Sequence, residues 1–198
     1  MRTARVAPAP HIGAQATRIP RRPSVDSVSV RVMPELELTR TREDRRLYAL
    51  EGVGTLRLKG WTSRSATATA GDRAWELTRR GVFKTTVEAV DASGTVTGDF
   101  DPRVIRRGGA LRWGDRTLAL RPASVWRERY ALADGDRELA VLDGRGWGKR
   151  PVTIVVDDLA AVDPGLLLFT AYVVRGLAED ATGAAGGAAA ATTVAASG

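Results

Sequence analysis

The stretch Gly144-Arg145-Gly146-Trp147-Gly148-Lys149-Arg150 carries the strongest chemical signal in the chain. Its glycines free backbone N–H groups to face an anion, while Arg145, Lys149 and Arg150 add charge and hydrogen-bond forks. Trp147 suits stacking on a base or a place at a membrane interface. The segment is a candidate anion- or partner-binding loop; its plain alternative is a flexible link between strands with solvated charges. It lacks the fixed spacing of a nucleotide phosphate loop, G-x-x-x-x-G-K-[ST].

Other reactive groups are few. His11 is the only histidine, and cysteine is absent. His11 falls in the N-terminal arm, which removes Ser–His–Asp, Cys–His and His–metal chemistry from the folded part. The close carboxylate pairs Asp99/Asp101 and Asp157/Asp158 have the composition for acid–base work. However, Asp101-Pro102 reads as a turn and Asp157-Asp158 as a strand end. A calcium ion at Asp157, Asp158 and Asp163 would need six or more oxygens. No catalytic residue, cofactor site or metal site is assigned. The pairs Arg79-Arg80 and Arg106-Arg107 read as solvated strand ends. Trp61, Trp75, Trp113 and Trp126 read as core or barrel-wall residues.

The formal charge of +7 resembles a nucleic-acid signal until it is located. Residues 1–34 hold six arginines against Asp26 alone, a net +5, and leave +2 for residues 35–198. A basic arm of this kind adds salt-dependent attraction to polyanions or anionic lipid, not sequence-specific nucleic-acid recognition. Rich in Pro, Arg, Ala and Ser, residues 1–34 are expected to be disordered, with one short alternating strand near 27–33. The Ala/Gly-rich residues 181–198 are likewise expected to stay unfolded. The domain is placed at 35–180.

What must position any site is legible in two patterns. From Leu47 onward, short alternating segments are broken by turns such as Ala70-Gly71-Asp72, Asp91-Ala92-Ser93-Gly94, Trp113-Gly114-Asp115 and Asp134-Gly135-Asp136. This is the pattern of serial hairpins, about eleven strands of an antiparallel barrel or sandwich. Pro34–Arg46 is charged and reads as a loop or a short helical turn. A 43-residue offset superposes Gly71-Asp72-Arg73 on Gly114-Asp115-Arg116, Leu77 on Leu120, Val87 on Tyr130 and Asp91 on Asp134. The second pattern is a helix over 163–179. Asp163-Pro164 is a start signal, a capping carboxylate followed by proline at the first helical position. The following Leu166–Val174 is apolar around the whole wheel, so it must be enclosed. A sheet closed around that helix satisfies both patterns. Arg175 is the odd residue in the helix and is expected to reach the barrel mouth or to pair with Glu179 at i+4. The apolar run is about half the ~20 residues a spanning helix needs, and no apolar leader follows Met1. The chain is therefore expected in the cytoplasm, peripheral to the membrane.

Gly81-Val82-Phe83-Lys84 through Val90-Asp91-Ala92-Ser93-Gly94-Thr95-Val96 resembles the strand–D-x-x-G–strand hairpin of the Tubby C-terminal-like superfamily. Val152–Asp157 followed by Asp163–Asp180 resembles that superfamily's last strand and core helix. The resemblance covers about Leu47–Asp180 and is nearest to the LURP-one-related proteins, with the phospholipid scramblases beyond. It implies a mainly β fold, an antiparallel closed barrel of about twelve strands around one C-terminal hydrophobic helix. It implies little about activity; the nearly neutral barrel with a basic arm and one basic Gly-Trp loop gives the expectation of a non-catalytic binding domain that docks on anionic lipid or another acidic partner. The alternatives are a carrier of a small apolar ligand or lipid, scramblase-like in kind, and last a carboxylate-dependent hydrolase.

Overall fold

The computed structural model describes residues 33–59, 64–81, 86–103, 108–124, 129–144 and 152–194, with side chains as far as Asp180. The strands are β1 Glu35–Arg40, β2 Leu47–Leu50, β3 Gly54–Lys59, β4 Ser65–Ala70, β5 Arg73–Arg80 and β6 Thr86–Asp91. They continue as β7 Val96–Arg103, β8 Gly108–Trp113, β9 Arg116–Ser124, β10 Arg129–Asp134, β11 Arg137–Asp143 and β12 Val152–Val156. Each pairs antiparallel with its sequence neighbours, and β1 closes on β12 with Leu36 opposite Ile154, giving a twelve-stranded barrel. A 3-10 turn at Leu159–Ala161, capped by Asp158, leads into α1, Pro164–Val194, the one α-helix among the described residues.

The barrel closes because one side of every strand is apolar. Inward residues such as Leu56 and Leu58, Ala66 and Ala68, Trp75 and Leu77, Leu118 and Leu120, or Ile154 and Val156 are buried. Their outward neighbours, including Arg57, Glu76 and Thr117, are exposed. Alternation of this kind fixes register, since a slip by one residue would turn the core face outward. A barrel wider than eight strands leaves a lumen that must be filled. Here α1 fills it: every residue from Gly165 to Val174 is buried, whichever side of the helix it lies on. The one buried polar side chain among them, Thr170, donates its hydroxyl to the Leu166 carbonyl at 2.8 Å. The start signal behaves as expected. Asp163 Oδ1 accepts from the N–H groups of Gly165 (2.7 Å) and Leu166 (3.2 Å).

The 43-residue repeat is structural. It carries β5–β6–β7 onto β9–β10–β11, with β6 and β10 in strict correspondence. Gly71 and Gly114 occupy equivalent hairpin turns at φ 59° and 60°, a left-handed conformation that glycine adopts without strain.

Three expectations need correction. Pro34–Arg46 holds strand β1; Leu36 and Leu38 face the core while Glu35 and Glu37 face out, so the charged look reflects only the wet side. Asp101-Pro102 lies inside β7 and is no turn. Pro102 sits beyond the last β6 partner, Phe100 opposite Val87, so no β6 ladder bond requires its missing N–H. The helix continues past 179 to Val194. Alanine, the strongest helix former, dominates that stretch and lets the backbone continue once the enclosed part has nucleated it. The expected strand at Val104–Arg107 lies outside the described residues, as does Ser27–Met33 apart from Met33.

The β6–β7 turn yields a pH prediction. The Asp91 carboxylate accepts from the Ser93 hydroxyl (2.6 Å), the Ser93 N–H (2.9 Å) and the Thr95 N–H (3.0 Å). The Ser93 hydroxyl first, then the Thr95 N–H, hold its pKa below the ordinary 3.8. A depressed folded-state pKa contributes stability above the unfolded value that is lost as pH falls through the folded one. Asp91→Asn should therefore flatten the acid limb of the stability curve below about pH 4 and leave its shape near neutrality unchanged. Urea melts across that window check it.

Candidate functional site

The barrel has two unlike mouths. At the N mouth, where α1 begins, the connections are 51–53, 71–72, 92–95, 114–115, 135–136 and 157–163. They contain seven carboxylates and no Arg or Lys. Some are quenched by arginines on the strands: Arg137 on Asp157 (2.8 Å) and Arg73 on Asp163 (2.9 Å), with Arg116 meeting the strand-end Asp134 at 2.8 Å. The hydrogen bond and charge of Asp157 push the Arg137 pKa up. Tight two-residue hairpins favour Gly-Asp, which accounts for part of this acidity.

At the C mouth, where the enclosed part of α1 ends, the strand ends are joined by 41–46, 60–64, 81–85, 104–107, 125–128 and 144–151. The sequence of these connections holds eleven Arg or Lys against three acids. The proposed loop residues Arg145, Trp147, Lys149 and Arg150 lie outside the described residues, as do Arg106, Arg107, Trp61 and Trp126. The strand ends that flank 144–151, Asp143 and Val152, belong to the C mouth.

Within this mouth the described side chains form one polar cluster on β1, β2, β5 and α1. Arg79 is not the solvated strand end that its neighbour Arg80 is. It shares the inward face of β5 with Trp75 and Leu77, and its side chain is only 9% exposed. It bonds Glu179 (3.3 Å), Asp180 (3.0 Å) and the Gly176 carbonyl (3.4 Å). A Cβ at position 176 would come within 2.8 Å of its guanidinium carbon, so glycine there makes the seat. Arg175 pairs with Glu179 at 2.8 Å, as the i+4 spacing predicted. It also donates to the Tyr48 hydroxyl at 3.3 Å, and Arg40 donates to the same oxygen at 3.3 Å. Burial pushes the Tyr172 phenol pKa up, against the opposing pull of Arg79. Sequence inspection missed Arg40, Tyr48 and Arg79. The signal was present, since Leu36-Leu38-Arg40 and Trp75-Leu77-Arg79 are alternating inward sets that end in a guanidinium.

The carboxylate pairs are engaged structurally. Asp157 meets Arg137, Asp158 caps the 3-10 turn, and Asp163 caps α1 while pairing with Arg73. Asp99 meets Arg112 on the outer face. Among the described residues no group of three or more His, Cys, Asp or Glu could hold a metal ion.

No family model, curated protein or solved structure matches the chain. Among the described residues, no helix is long and apolar enough to cross a membrane.

Proposed function

We propose that this chain is a non-catalytic docking domain of the LURP-one-related, Tubby-like kind, which seats its C mouth on an anionic membrane surface. The observation that carries this reading is the division of charge along the barrel axis. Seven carboxylates and no base line the N-mouth connections, whereas eleven bases against three acids lie in those of the C mouth. Such a molecule is oriented by a negative surface before it touches it. The basic composition of residues 1–34 adds salt-dependent attraction to the same kind of surface. A twelve-stranded barrel around one helix supports the resemblance. The carrier reading gains less, because α1 occupies the lumen with buried side chains.

Flotation of the full chain with vesicles containing phosphatidylserine tests it. Binding is expected at about 0.05 M salt and is expected to be lost by about 0.5 M, where screening shortens the reach of the field. Replacing Arg42, Arg45 and Arg46 by Glu should reduce binding at least tenfold. Replacing Asp72, Asp115 and Asp136 by Lys should not reduce it. Equal losses from both sets, or no binding at low salt, would overturn the reading.

A further inference from the structure

The outer wall of the barrel places its charges in two ways. From β3 to β8, opposite charges sit close enough to pair within the chain. Lys59 meets Glu76 at 3.0 Å, Arg80 meets Glu88 at 3.1 Å, and Arg57 and Arg112 pair with Asp44 and Asp99. From β9 round to β1 the pattern changes. One register row crosses five strands there: Arg121 on β9, Ala131 on β10, Val141 on β11, Val155 on β12 and Glu35 on β1. All five point outward, because their neighbours Leu120, Leu132, Leu142, Ile154 and Leu36 pack in the core. The row has a base at one end, an acid at the other and only apolar side chains between them. Arg121 donates to the Gly135 carbonyl at 3.2 Å, but among the described residues neither Arg121 nor Glu35 enters an ion pair. Both are exposed, and four strand spacings, about 19 Å, keep them from each other. Glu37, exposed on the same strand as Glu35, deepens the acidic rim.

We infer that this wall is a self-association surface whose occupant is a second copy of the chain, related by a two-fold axis that runs along β11. Such an axis lies in the plane of contact and exchanges the two ends of the row. Glu35 of one copy then meets Arg121 of the other, twice over, and Val141 meets its own counterpart at the centre. An axis laid across the strands would set Glu35 against Glu35, and repulsion disfavours it. The charges therefore choose the geometry, while Ala131, Val141 and Val155 supply the surface that leaves water. Glu138, exposed at the start of β11, falls near the axis, so its two copies oppose the contact. Five strands at about 4.8 Å spacing and about 20 Å length offer roughly 400 Å². That is about half of the ~800 Å² per partner of a standard interface, so the association is weak and reversible. The inference does not depend on the docking reading.

Sedimentation velocity of the full chain at micromolar to millimolar concentrations tests it, and a reversible monomer–dimer equilibrium is expected. Arg121→Glu turns two attractions into two repulsions and should weaken the dimer at least about fivefold. Glu35→Arg combined with Arg121→Glu restores both pairs and should return association to the level of the unaltered chain. Glu138→Gln should tighten it. A second measurement needs no change of charge. The chain contains no cysteine, so Val141→Cys introduces the only thiol. Mild oxidation should link two copies through it, because position 141 faces itself across the axis. Thr67→Cys, outward on β4 at the far side of the barrel, should stay unlinked under the same oxidation. A chain that remains monomeric throughout the concentration range overturns the inference. So does a dimer indifferent to Arg121→Glu, or cross-linking at Thr67→Cys that matches that at Val141→Cys.

Discussion

A chain ending at Val162 is expected to show no cooperative thermal transition. It would retain all twelve strands and lose only α1, yet the inward faces of those strands pack on that helix. Leu166, Leu167, Leu168, Phe169, Tyr172, Val173 and Val174 are each at most 1% exposed. Burial of a large apolar side chain contributes roughly 1.5–3 kcal/mol. The seven together contribute roughly 10–21 kcal/mol, as large as or larger than the ~5–15 kcal/mol net stability of an ordinary domain. The lining would also face an open lumen, which must flood or collapse. Calorimetry and near-ultraviolet circular dichroism of the truncated chain decide the matter. A sharp melt with native aromatic signals would show that the sheet is self-sufficient.

Gly165→Ala should cost about 3 kcal/mol, the upper end of the usual overpacking range, and lower Tm by about 6–12 °C. The added Cβ would stand 2.6 Å and 2.8 Å from two ring atoms of Trp75 and 2.7 Å from one of Trp113. Neither ring has room to yield. Trp75 and Trp113 pack at 5.6 Å between centroids, Trp113 packs on Phe169 at 5.5 Å, and the guanidinium of Arg73 covers Trp75. The clash with Trp75 involves the far edge of its indole, which Phe lacks. Gly165→Ala combined with Trp75→Phe should thus be more stable than the sum of the single effects by at least about 1 kcal/mol. Strict additivity would mean that the helix shifts along the lumen and avoids the rings.

The barrel was legible because its two signals are independent of each other. Gly-Asp turns at short intervals announce hairpins, and a helix apolar from Leu166 to Val174 on all sides has nowhere to be except inside. Two of the errors come from counting residue types without regard to which face of a strand they take, and the third from a strand end. Strand β1 has only Leu36 and Leu38 facing inward, too few to outweigh Glu35, Glu37 and Arg40 in a count of residue types. Arg79 next to Arg80 looks like one exposed basic pair, although a strand sends adjacent side chains to opposite faces. Asp101-Pro102 carries turn chemistry but sits where β7 has outrun its β6 neighbour. Of the site, composition revealed a basic loop at Arg145–Arg150. The mouth cluster needs Arg40, Tyr48, Arg79 and Arg175 to meet, and their distances along the chain hide it until β1 closes on β12.

The order of synthesis gives the enclosed helix a further meaning. The ribosome delivers all twelve barrel strands before it delivers the segment they wrap, and the seam from Glu35 to Val155 joins β1 to β12. Hairpins can form early on the nascent polypeptide, but a seam that seals too soon would shut out its own filling. Folding to completion must await emergence of Leu166–Val174, and the exposed inward edges make that interval the time when chaperones matter most.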